Sequence, residues 1–194
     1  MRRLFSAIAV AALVAGSATA ESSKPHAVAK MFGLDGKDLG TVELSQTGRG
    51  VLITLDLHGL PPGEHAVHVH AVGACEPKTH FASAGPHLSV DPQILTPRAH
   101  GYFARGGPDD GDLPNEFASG DGTMRAASIT NAFTLGNGGK SIFDRDGASI
   151  VVDARADDYR SQPAGNSGKA IACGAILRKA APGARKGGSH AAHE

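Results

Sequence analysis

The chain predicts an all-β fold, and three observations carry that expectation. Glycine makes up 26 of the 194 residues and proline another 11, so glycine is used about twice as often as in an ordinary globular chain. No long segment places apolar residues at helical spacing. The stretch VLITLDL instead alternates, with Val51, Ile53, Leu55 and Leu57 on one face and Leu52, Thr54 and Asp56 on the other, which is the pattern of a half-buried antiparallel strand. Shorter runs repeat the signal in GTVEL, AVHVH, ASIVVD and AIACGAIL, with LPPGE, RDGAS and GNGGK as turns between them. Successive short strands of this kind close into a barrel or a sandwich.

The ends of the chain are set apart by composition. Residues 1–20 begin with Arg2 and Arg3, continue through an apolar run that is short for a membrane span, and finish on Ala18-Thr19-Ala20. This is the form of a signal peptide cleaved before Glu21, and it predicts an exported protein with no stable membrane insertion after processing. Residues 21–27 read as a flexible lead, 28–178 as the folded domain and 179–194 as a disordered tail, where RKGGSHAAHE holds His190 and His193 among small residues. Roughly 170 residues then remain, a length that suits one domain.

Charge excludes one class of function. Lys plus Arg and Asp plus Glu both number 19, and losing Arg2 and Arg3 tips the balance to acidic. With no basic stripe, nucleic-acid binding is not expected. The two cysteines, Cys75 and Cys173, would mature in a compartment where disulfides persist. One pair allows one intramolecular link, and two separate thiols are the other arrangement.

From Ala71 to about Gly120 the periodicity stops. Turn-rich pieces follow one another, and among them stand Cys75, His80, His87, His100, Asp109, Asp110 and Asp112. A loop this long inside a compact domain needs something to order it, and a disulfide or a metal would serve. The strand before it carries HAVHVH. Alternation sends Val67 and Val69 into the core and His68 and His70 together to the outer face, which makes half of a metal site, while the loop behind supplies His87 and His100. Imidazoles suit copper and zinc, and a carboxylate such as Asp112 suits zinc. His58, His65 and His80 read as surface or packing residues.

In order and spacing, PPGEHAVHVH, SAGPH, AHG, GDLPN, DGASIVV, ADDY, QPAGNSG and IACGAI resemble the secreted bacterial copper/zinc superoxide dismutases. The resemblance runs from about Val28 to Leu177. It implies an eight-stranded Greek-key β-barrel, similar to an immunoglobulin-like sandwich, with long metal-binding and electrostatic loops and a disulfide between Cys75 and Cys173. It further implies copper on His68, His70 and His87, zinc on His87, His100 and Asp112, and Asp157 as the carboxylate joining a copper histidine to a zinc histidine. His87 is then bridge and proton relay, superoxide anion is the substrate, and the bacterial periplasm is the location. A homodimer or a copper donor are the partners it suggests.

Three positions depart from the family pattern. Asp109 stands where the family has a zinc histidine, Asp153 where it has the fourth copper histidine, and Ala170 where it has the arginine that receives superoxide. An aspartate oxygen reaches nearly as far as the ring nitrogen nearer the backbone, so Asp109 can still serve zinc. Asp153 is shorter by roughly a bond length than an imidazole binding through its far nitrogen, and as a hard anionic donor it favours Cu(II) over Cu(I). Arg155 and Lys169 are candidate substitutes for the lost guiding charge. The sequence thus predicts a dismutase-family protein with impaired disproportionation of superoxide; the alternative is a non-catalytic copper-binding or copper-delivery protein, since related copper chaperones carry an aspartate at this copper position.

Overall fold

The computed structural model describes residues 25–90 and 98–179. Residues 1–20, read from the sequence as a signal peptide, and the tail with His190 and His193 lie outside the described residues. Nine strands run in chain order: β1 (His26–Gly33), β2 (Asp38–Gln46), β3 (Val51–Leu57), β4 (Gly63–His65), β5 (Val67–His70), β6 (Glu116–Ala118), β7 (Met124–Thr130), β8 (Ser149–Asp153) and β9 (Ala170–Lys179). Among the described residues there is no α-helix, and so none able to cross a membrane. β1 starts at His26, so the first strand takes in two residues that the sequence assigns to a flexible lead.

Seven strands form one antiparallel sheet in the order β5-β8-β9-β1-β2-β3-β7, and β4 pairs with β6. β4 runs on through Ala66 into β5, and a turn in which Ser119 N donates to Thr123 O (2.8 Å) joins β6 to β7. The short pair therefore links the two ends of the curled sheet. Counting β4 and β5 as one strand that changes partner at Ala66 recovers the expected eight.

The core follows from alternation. Along β3 every odd-numbered residue from Val51 to Leu57 is buried and every residue between is exposed. Met31, Leu44, Ile53, Val69, Ile150 and Ile176 meet inside the barrel. β8 is buried on both faces: Ile150 and Val152 point into the core, while Val151 packs outside with Phe81, Ala84 and Cys173. That outer layer exists because the long loop is stapled there by the Cys75–Cys173 disulfide, whose Cα atoms are 5.7 Å apart and which joins residues 98 apart in sequence. Closing so long a loop stabilises by about 4 to 5 kcal/mol in the chain-entropy account.

β5 would otherwise be a bare sheet edge. The loop covers it: Leu88 N donates to Val69 O and Val69 N to Gly111 O (both 2.8 Å), and isolated bridges pair His70 with His87 and His68 with Asp112. Residue 111 must be glycine for the chain to come this close, because a Cβ there would stand 2.1 Å from Val69 O. Edge pairing thus sets loop residues directly opposite the two strand histidines.

Candidate metal centre

Four imidazoles gather where the loop meets β5. The His87 ring lies centrally, with its centroid 4.1 Å from that of His68, 4.9 Å from His70 and 5.0 Å from His100. On one side of it, His87 Nδ1 is 2.9 Å from Asp112 Oδ1, His100 Nδ1 is 3.0 Å from the same oxygen, and the two Nδ1 atoms are 3.2 Å apart. Ligands at about 2.0 Å around a tetrahedral zinc stand roughly 3.3 Å from one another, so these three atoms are spaced as a zinc ion requires. Asp112 is fixed for the task, since its other oxygen accepts from Gly101 N (2.8 Å) and Asp109 N (3.0 Å). Those contacts and His87 hold the Asp112 carboxyl low against the opposing effect of burial. Among the described residues, one potential ligand atom each from His68, His87, His100 and Asp112 lies within 4.8 Å of the others. Asp109 is not in that group; it stands beside it, its carboxyl pushed up to about 6 by burial and by Asp112.

On the other side, tautomers decide the chemistry. His70 Nδ1 donates to Gly85 O (2.7 Å), and because a carbonyl can only accept, the opposite nitrogen keeps its lone pair. His68 Nε2 sits 3.2 Å from Asp157 Oδ2 and His100 Nε2 sits 3.0 Å from Asp157 Oδ1, which turns both Nδ1 atoms toward the cluster. One carboxylate thereby orients a ring on each side. The atoms left over, His68 Nδ1 and His70 Nε2, are buried without a hydrogen-bond partner among the described residues. Two such orphaned donors, on rings whose centroids are 6.4 Å apart, fit a metal held by imidazole, although His70 falls outside the four-residue group.

The ionisation states agree. Burial disfavours charge on His68, but Asp153 and Asp157 outweigh it and raise its pKa to about 9, so without metal it carries a second proton. Burial and the neighbouring His87 push His70 down to about 4. Asp157 is held at about 2, because hydrogen bonds from His68, His100 and Tyr159 N overcome its burial. The Asp157 loop is closed by Gly165, with φ +63°, where a Cβ would fall 1.6 Å from Asp157 Oδ1.

Asp153, at the end of β8, is 6% exposed. Its Oδ2 lies 3.4 Å from His68 Nδ1, near enough for charge attraction but not aligned for a hydrogen bond, and it accepts from Ser167 Oγ at 2.7 Å. Behind it, His65 is a buried packing residue: its Nδ1 contacts Asp153 O and its Nε2 contacts Pro61 O, each at 2.7 Å. His58 and His80 are exposed.

A cleft of about 480 Å³ opens over His70, His87 and His100, walled by Arg98, Gln162 and Ala164. Neither Arg155 nor Lys169 lines it; both are exposed, and the Arg155 guanidinium donates to Asn166 O (2.9 Å). The cation on its wall is Arg98, whose Nε is 3.4 Å from Asp110 Oδ1. Sequence reasoning missed Arg98 and Ser167. Arg98 stands two residues before His100, but in an aperiodic loop that spacing says nothing of direction.

Residues 39–176 match the family model for copper/zinc superoxide dismutase. The chain belongs to the copper/zinc superoxide dismutase family. It is 37% identical over 178 residues to a Cu-Zn superoxide dismutase of Aquifex aeolicus, covering 91% of this chain and 99% of the relative. To the Cu-Zn superoxide dismutase of Caulobacter vibrioides it is 42% identical over 144 residues, covering 73% and 80%. Its fold is similar to the crystal structure of a SOD-like protein from Bacillus subtilis, with TM-score 0.69, 30% identity, and 77% and 97% of the two chains covered. The disulfide that the resemblance implies is in place, and Asp157 contacts one ring on each side of the cluster. Ala170 packs against the outer apolar cluster that holds Cys173.

Proposed function

We propose that this dismutase-family protein is exported to the bacterial periplasm, binds copper through His68, His70 and His87 and zinc through His87, His100 and Asp112, and disproportionates superoxide slowly. One observation carries the reading: among the described residues His68 Nδ1 and His70 Nε2 are buried donors without hydrogen-bond partners, and the first lies 3.4 Å from the carboxylate of Asp153, where the family has an imidazole. Export draws support from the leader-like residues 1–20 and from the disulfide. Copper, when bound, supplies the one-electron exchange. In the balanced reaction one superoxide gives up its extra electron and leaves as dioxygen, and a second takes that electron with two protons and leaves as hydrogen peroxide. His87, the ring between the two sides, is the proton carrier in this reading; burial lowers its pKa despite the Asp112 contact, which favours its neutral form. Asp157 holds His68 and His100 in the tautomers that ligation needs. Asp109 stands beside the cluster and outside the group whose ligand atoms lie within 4.8 Å of one another, so its carboxylate would have to turn inward to serve zinc as a fourth donor.

The cleft wall favours a second reading, a non-catalytic protein that stores or delivers copper. Ala170 offers no charge, Arg155 is tied to Asn166 outside the cleft, and Lys169 does not reach its lining. Superoxide capture gains from a cation beside the metal, and Arg98 already faces Asp110.

The two readings part in one experiment. Mature protein loaded with copper and zinc is assayed for superoxide decay beside Asp153→His, Ala170→Arg and the double variant. Slow dismutation predicts measurable activity that rises with each substitution. Delivery without catalysis predicts none until both are present. Activity in the unaltered protein equal to that of the double variant would overturn the impairment.

A further inference from the structure

Ser167 is almost wholly buried, at 1% exposure, and its hydroxyl points at the one carboxylate in the copper-facing set. Asp153 is pinned through its backbone, where its N–H donates to Ala66 O (3.0 Å) and its carbonyl accepts from His65. Among the described residues, the hydrogen bond given to its side-chain carboxylate comes from Ser167. The oxygen that accepts it, Oδ2, is also the one 3.4 Å from His68 Nδ1. Ser167 is itself held by its backbone, with its carbonyl accepting from Arg155 N (2.8 Å) and its N–H donating to Ala164 O (3.2 Å). The loop after β8 thus carries a fixed hydroxyl against the buried carboxylate of Asp153.

We propose that Ser167 is a positioning residue that holds Asp153 Oδ2 toward the copper-facing nitrogen of His68, so that a hydroxyl–carboxylate pair stands in place of the family's fourth copper histidine and sets the relative hold on the two copper oxidation states. The inference rests on the copper reading above. A carboxylate is a hard, charged donor that favours Cu(II), whereas the imidazoles serve both states. Because the side chain is shorter than an imidazole, its value as a donor depends on where Oδ2 sits, and a charge-assisted hydrogen bond fixes that. The Ser167 hydroxyl has one proton and two acceptors at the same distance, Asp153 Oδ2 and Ala164 O, both at 2.7 Å.

The test compares unaltered, Ser167→Ala and Ser167→Thr proteins, zinc-loaded, by the paramagnetic resonance of bound Cu(II) and by separate Cu(II) and Cu(I) affinities. Ser167→Ala should change the Cu(II) spectrum and weaken Cu(II) binding about 10-fold, the scale of losing an outer hydrogen bond at a metal, with Cu(I) and zinc affinities unchanged. Ser167→Thr should restore both. In an Asp153→Asn background, Ser167→Ala should add nothing. Should Ser167→Ala fail to fold, Ser167→Cys keeps the volume with a weaker donor and reads the same quantity. An unchanged Cu(II) spectrum and affinity overturns the proposal, as does an equal fall for Cu(II), Cu(I) and zinc, which is the mark of general loosening. Failure of the unaltered protein to bind copper is a different result and overturns the copper reading itself.

Discussion

On the zinc-facing side of the cluster, His87 Nδ1, His100 Nδ1 and Asp112 Oδ1 already lie within 3.2 Å of one another. On the copper-facing side, His68 Nδ1 and His70 Nε2 touch no hydrogen-bonding partner among the described residues. The first half is assembled by attraction, since a carboxylate draws two rings together without any ion. The second is assembled by the scaffold: strand alternation aims the rings, and the Gly85 carbonyl and Asp157 choose their tautomers. A site built by attraction tolerates a change of donor, as at Asp109, more readily than one built by reach, as at Asp153. The two halves meet at Asp157, which contacts a ring in each.

The largest expected effect strikes that meeting point. Gly165→Ala places a methyl against Asp157 Oδ1 and close to His100 Nε2, at a backbone conformation that disfavours side chains. It should weaken zinc and copper together, by about 100-fold each, read by competition with chelators; loss on one side alone would show that Asp157 does not join them. Next comes the staple. Replacing Cys75 and Cys173 by serine should cost about 2 to 5 kcal/mol in urea unfolding. It should also loosen copper more than zinc, because Gly85 follows the stapled segment packed around Phe81 and Ala84. Equal weakening would erase the difference between the halves.

The smallest effect is a pH dependence of the metal-free protein. Asp157 falls from an ordinary 3.8 to about 2, so its contribution to stability is present above 3.8 and is lost as pH falls through 2. His68 rises from 6.5 to about 9, so its contribution is complete below 6.5 and is lost as pH rises through 9. Urea midpoints across this range should therefore decline at both ends, and Asp157→Asn should flatten the acid limb. Metal loading should flatten the alkaline limb, because the ion takes the place of the proton on His68. A level profile without metal would contradict both assignments.

Much of the barrel was legible in the sequence because β3 sorts apolar from polar residues one by one. β7 was not. MRAASIT has its strongly apolar residues, Met124 and Ile129, on opposite faces, the second of them exposed, and packs at a sheet edge, so alternation leaves little trace there. His68 and His70 could be placed on one outer face by alternation alone. Asp157 and the three departures came from resemblance, because a carboxylate 89 positions from His68 carries no local signal. Arg98 and Ser167 were out of reach for the same reason: each matters through what it touches across the fold.

The loop that brings His87 and Asp112 to β5 does a second job in the same hydrogen bonds. By matching Val69 and its neighbours amide for carbonyl, it blunts the rim of the sheet against strands from other molecules. A molecule reduced at its sulfurs and stripped of its ions would bare that rim, so readiness to aggregate should track how completely each copy has matured.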